Sequence, residues 1–66
     1  MEIELNGAPH PITASQSVHQ LIDALELSDH ALAIAVNREV VPRSQWEKRV
    51  LQPFDRVDIV RAIGGG

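Results

Sequence analysis

Apolar and polar residues alternate from the first position, where Met1, Ile3 and Leu5 are separated by Glu2 and Glu4. A period of two belongs to a strand with one buried and one wet face, so Met1 to Leu5 is read as the first strand. Asn6-Gly7 supplies two residues that accept positive φ, the requirement of a two-residue hairpin turn. A weaker segment with Ile12 follows. Pro9 and Pro11 lack the N–H that a ladder needs, which assigns this second strand to a sheet edge. The period then changes: Val18, Leu21, Ile22 and Leu25 fall at i, i+3, i+4 and i+7, one stripe of a helix. Ser17, with Gln20 three residues on, makes a capping box at its start.

Ala31 to Val36 is a continuous apolar run too short for a useful helix, and it predicts a central strand buried on both sides. Val40-Val41 is a short strand stopped by Pro42, and Arg43 to Trp46 makes one helical turn. Pro53-Phe54-Asp55 reads as a turn before the last strand, Arg56 to Ala62. On that strand Val57 and Ile59 share one face, while Asp58, Val60 and Ala62 share the other. The order is hairpin, helix, strand, short strand, strand, with no repeat and no linker. It fits an α+β fold, a four- or five-stranded mixed sheet with one packed helix, whose helical crossover permits the third strand to run parallel to the first. This is the β-grasp, or ubiquitin-like, architecture, expected over residues 1-63, with 64-66 as a flexible glycine tail.

Composition narrows the function. Sixty-six residues hold one core, and a chain this short buries only roughly 60% of its surface on folding. The absence of cysteine excludes a disulfide-stapled domain and a thiolate zinc site, and points to the cytoplasm. The longest apolar run has six residues and the N-terminus has no cationic start, so neither a membrane span nor a signal peptide is expected. Net charge is −3, and Lys48-Arg49 is the one clustered basic stretch. With one Trp, one Phe and no Tyr there is no platform for stacking bases, and nucleic acid is not an expected partner. A basic patch on another protein is the more natural counterpart.

Candidate chemistry is sparse until the C-terminus. Among His10, His19 and His30, only His19 has a helical neighbour, Asp23, at ligand spacing, and no second pair completes a metal site. Ser15, Ser17, Ser28 and Ser44 have no glycine elbow or paired histidine, and Glu2 and Glu4 point to solvent, so catalysis by this chain is not expected. Trp46 is read as a lid over the core, with an interface role as the other reading. Val60, Ala62 and Ile63 form an apolar patch beside the tail, unless the last strand is covered on both sides. Gly64-Gly65-Gly66 forms no stable element and can extend into a narrow slot, presenting the Gly66 carboxylate without steric cover. A frayed terminus or an expression scar is the alternative, and attachment to the last strand of a β-grasp fold favours the reactive tail.

Met1-Glu2-Ile3-Glu4-Leu5-Asn6-Gly7, Ser17-Val18, Ala35-Val36-Asn37, Val41-Pro42-Arg43-Ser44-Gln45-Trp46 and the glycine terminus together resemble the thiamin-biosynthesis sulfur carriers, across the whole chain. The Val-Pro-Arg run is the most specific of these; the Val-Asn turn and glycine tail also occur in the small subunit of molybdopterin synthase. The thiamin carriers often have Asp-Gly-Asp where this chain has Pro53-Phe54-Asp55, and alanine where it has Gly64. The resemblance implies a group carrier rather than an enzyme. A partner adenylyltransferase would consume ATP and Mg²⁺ to activate the Gly66 carboxylate; the bare backbone of Gly64 and Gly65 suits recognition in its slot, and the alternation of the last strand offers Val60, Ala62 and Ile63 to dock against it. A sulfur donor protein would then convert Gly66 to a thiocarboxylate, which thiazole synthase uses, and the carrier itself would bind no cofactor. The alternatives are a molybdopterin sulfur carrier, a ubiquitin-like modifier, and a binding module with an inert tail.

Overall fold

The computed structural model describes residues 1–28 and 31–61. Five strands and one helix follow in the order β1 (Glu2–Leu5), β2 (Ala8–Pro11), α1 (Val18–Ala24), β3 (Leu32–Val36), β4 (Glu39–Val40) and β5 (Arg56–Arg61). A single 3₁₀ turn, Arg43–Gln45, lies between β4 and β5. The strands form one mixed sheet in the order β2-β1-β5-β3-β4.

Both hairpins turn on two residues of positive φ, the conformation whose twist matches the flanking strands. Asn6 (φ 48°) and Gly7 (φ 85°) join β1 to β2, and Asn37 (φ 52°) and Arg38 (φ 71°) join β3 to β4. β2 is an edge strand, as its prolines require. The Ile12 N–H donates to Met1 O, so by alternation the N–H groups of Ala8 and His10 also face β1. Pro9 and Pro11 occupy the outward-facing positions, where no ladder bond is lost.

Ser17 caps α1 as its spacing predicts: its Oγ accepts from the Gln20 N–H, and the Gln20 Oε1 accepts from the Ser17 N–H. The helix ends earlier than its apolar stripe. Leu25 is the C-cap and Glu26 adopts φ 59°, while Glu26 N–H donates to Asp23 O and Leu27 N–H to Ile22 O. These two bonds are a complete Schellman motif, with glutamate in the place usually taken by glycine.

Val18, Leu21 and Ile22 of α1 pack on Ile3, Ile34, Val36 and Val57 of the sheet, and Ile12, Val41, Trp46 and Leu51 close the core from the connections. Trp46 is the expected lid, 3% exposed, with its Nε1–H donating to Val41 O at 3.0 Å and the Arg43 guanidinium 5.0 Å from its ring centre. Two expectations are corrected. β3 is not buried on both sides: Ile34 and Val36 point into the core, Ala33 is exposed, and Ala35 is half-buried. The helix covers one face of the sheet only, and small side chains sit on the other. Nor is β3 central or parallel to β1; β5 lies between them, parallel to β1 and antiparallel to β3.

Asp55 anchors the start of β5. Although 8% exposed, its carboxylate accepts from Asn37 Nδ2 at 2.9 Å and from the Gln52 N–H at 2.8 Å. Asn37 completes the clamp: its Oδ1 accepts from the Arg56 N–H and its own N–H donates to Arg56 O. Hydrogen bonds to a charged group are among the stronger ones, and the donors left behind by truncation are partly buried. Asp55→Ala is expected to lower unfolding free energy by about 2 to 3 kcal/mol, measured by urea titration.

Candidate functional site

β5 carries the chain to its C-terminal residues, so its anchoring sets where they depart. On one side Glu4 N–H donates to Asp55 O and Asn6 N–H to Val57 O, both at 2.9 Å. The Asn6 side chain then reaches past the end of β1, its Oδ1 accepting from the Ile59 N–H at 2.8 Å. On the other side β3 stays in register to the end, pairing Ala33 with Val60 and Leu32 with Arg61. β5 therefore outruns β1, and its last two residues are paired in the ladder on the β3 side alone.

Alternation about the buried Val57 places Arg56, Asp58 and Val60 on the open face of the sheet. Val60 is 62% exposed, so the last strand is not covered on both sides at this position. Its cross-strand partner Ala33 is exposed as well, and Val40 on β4, opposite Ala35, is 75% exposed. Ala33, Ala35 and Val40 extend the patch and were not singled out from the sequence. The signal was present in the alternation of Ala33 and Ala35 with the larger Ile34 and Val36, which a continuous apolar run conceals. Beyond Val60 the face turns polar: Arg56 Nε lies 3.4 Å from Asp58 and 3.8 Å from Glu4, half-exposed pairs of small energetic weight. Ala62, Ile63, Gly64, Gly65 and Gly66 lie outside the described residues, as does His30.

Elsewhere the structure brings little chemistry together. His19 Nε2 sits 3.4 Å from Asp23 on the helix surface, and no three metal-ligating side chains converge among the described residues. No helix among them is long and apolar enough to cross a membrane.

A mixed five-stranded sheet with one helix on one face, an open face opposite, and a central last strand followed in sequence by three glycines defines a ubiquitin-like β-grasp protein. The crystal structure of the thiamine biosynthesis protein ThiS from Geobacter metallireducens matches it with a TM-score of 0.87 at 26% identity, over the whole of both chains. A family model described as the ThiS family matches residues 3–66, and the chain belongs to that family. The sulfur carrier protein ThiS of Escherichia coli is 33% identical over 66 residues, all of both chains. A thiazole synthase of Magnetococcus marinus is 36% identical over the same 66 residues, which make up 20% of that longer protein.

With Val60 exposed, charge at this position should alter docking and spare the fold. Val60→Asp is expected to weaken affinity for a partner that docks on this face by about 1 to 3 kcal/mol, with the unfolding midpoint little changed. Calorimetric titration beside thermal unfolding checks both; a midpoint that falls with affinity would place Val60 in the core.

Proposed function

We infer that this chain, a sulfur carrier of thiamin biosynthesis, holds its cargo as a thiocarboxylate on Gly66. A carboxylate is a poor electrophile, so an adenylyltransferase must first join it to the α-phosphorus of ATP, releasing pyrophosphate and leaving an acyl-adenylate. The terminal sulfur of a persulfide on a donor protein then attacks the carbonyl carbon and displaces AMP. A thiol then attacks the donor's own sulfur in the acyl disulfide, forming a disulfide with the donor, losing its proton and releasing the thiocarboxylate. ATP and Mg²⁺ belong to the partner enzyme; this chain contributes the reacting carbon and the surface by which it is held.

The observation that carries the reading is the match to ThiS over the full length of the chain, the glycine terminus included. It favours thiamin sulfur transfer over the molybdopterin carrier and the protein modifier. Thiazole synthase is the consumer of the sulfur. Two thiazole synthases support this, each containing a stretch similar to this whole chain within 20% of its own length, so that carrier-like and synthase sequences occur in one polypeptide. Glycine's small size and backbone freedom suit an extended tail that must enter an enzyme's slot.

Incubation with ATP, the adenylyltransferase and a sulfur donor is expected to raise the intact mass by the difference between one sulfur and one oxygen. Deletion of Gly66 should abolish pyrophosphate release with the circular dichroism spectrum unchanged, because the reacting carbon is lost and the sheet is not. Unchanged turnover would refute a Gly66 attachment point; a binding module with an inert tail would keep its partner affinity and lose nothing. Gly65→Val should impair adenylation strongly while leaving stability within ~0.5 kcal/mol. Adenylation at the parental rate would show a slot wide enough for a Cβ.

A further inference from the structure

One side chain on the open side of the sheet has no role in the fold. Phe54 is 81% exposed, and its backbone stands at φ 65°. A bulky L residue is disfavoured in that conformation, which glycine, asparagine or aspartate adopt far more readily. The turn itself does not need the ring: Phe54 N–H donates to Glu2 O at 2.7 Å, a bond any residue but proline can make. Strain without burial is a reason to look for something the ring contacts outside this chain.

The surroundings say what that is. Phe54 borders a cleft of about 170 Å³ whose other walls are Glu2, Ile3, Glu4 and Pro9. Glu2 and Glu4 project outward on β1, opposite in parity to the buried Ile3. Glu2 makes no ion pair among the described residues, and the nearby cation Arg56 is already shared between Glu4 and Asp58. Carboxylates thus outnumber cations on this half of the face. An aromatic ring beside carboxylates in excess of cations is a receptor for a further cation, which gains attraction to the ring face and to the acids together.

We propose that Phe54, Glu2 and Glu4 form a subsite that receives a lysine or arginine side chain of the adenylyltransferase. This rests on the carrier reading above and adds a second point of contact to the one at Val60. Both lie on the same side of the sheet. Glu4 is in register with Arg56, and Val60 is four residues further along β5, or roughly 13 Å at strand rise. A partner seated on Val60 extends naturally over this corner. Two separated contacts would hold the carrier against rotation, which a single apolar patch does not.

The test is calorimetric titration of the full chain into the adenylyltransferase at low and high salt, with unfolding midpoints measured in parallel. Phe54→Gly is expected to bind roughly tenfold more weakly while unfolding at or above the parental midpoint, because the ring is lost and the backbone strain relieved. Phe54→Leu should also bind several-fold more weakly, since it keeps apolar bulk and loses the ring. Glu2→Gln with Glu4→Gln should remove most of the salt dependence of binding. Parental affinity in Phe54→Gly or in Phe54→Leu would overturn the cation subsite, as would an effect confined to thiazole synthase binding. Pyrophosphate release by the parental chain is read separately: Phe54-dependent binding without any release would leave the subsite standing and refute the carrier reading.

Discussion

β5 takes backbone hydrogen bonds from β1 on one side and β3 on the other, and every other part of the sheet is joined through it. Without it, β1–β2 and β3–β4 are two separate hairpins, each too small to be stable in water. The strand that unites them is the last in the chain, so Glu4 must meet Arg56 across nearly the whole sequence before the core can close. That closure carries a large loop entropy, and it is compensated locally by a dense set of bonds at the start of β5. Asp55, Asn37, Gln52 and the backbone of Arg56 make one connected network there, next to the fully buried Val57.

A single helix can cover only one face of a five-stranded sheet, and the division of labour follows from that. The inner positions Ile3, Ile34, Val36 and Val57 are large and buried. Outer positions are small, as at Ala33 and Ala35, or charged, as at Glu2, Glu4, Arg56 and Asp58, with Val40 and Val60 as the large apolar exceptions. The face left open is the one on which Val40 and Val60 stand exposed. The last strand is also the best-held strand, so under the proposed function a partner that grips this face would hold the chain close to its C-terminal residues. Fewer degrees of freedom would then remain between the docking surface and the proposed reacting carbon.

Much of this was legible in the residues. The capping box, the Asn-Gly turn, the edge prolines and the alternation about Val57 each state their geometry locally, and each is found where the spacing places it. What escaped was of two kinds. Positive φ is carried by Glu26, Arg38 and Phe54, residues that give no signal for it, so the helix end and the strain at Phe54 emerge only in three dimensions. Strand order is the other: β3 reads as central because it is apolar throughout, yet its alanines are outward-facing, and the centre belongs to the more polar β5. Hydrophobicity reports burial of a residue, and it is silent on which strand pairs with which.

The outward positions of Pro9 and Pro11 bear on how such a face survives at high concentration. An exposed apolar surface invites self-association, and in a sheet protein the dangerous route is growth of the sheet from molecule to molecule at its free edges. One border, β2, offers no N–H at the two positions that face away from the domain, and the other, β4, is only two residues long and ends at Val41-Pro42. Fibril-like extension is thereby refused at both borders. An exposed apolar side is tolerated because the edges give neighbouring copies little to pair with.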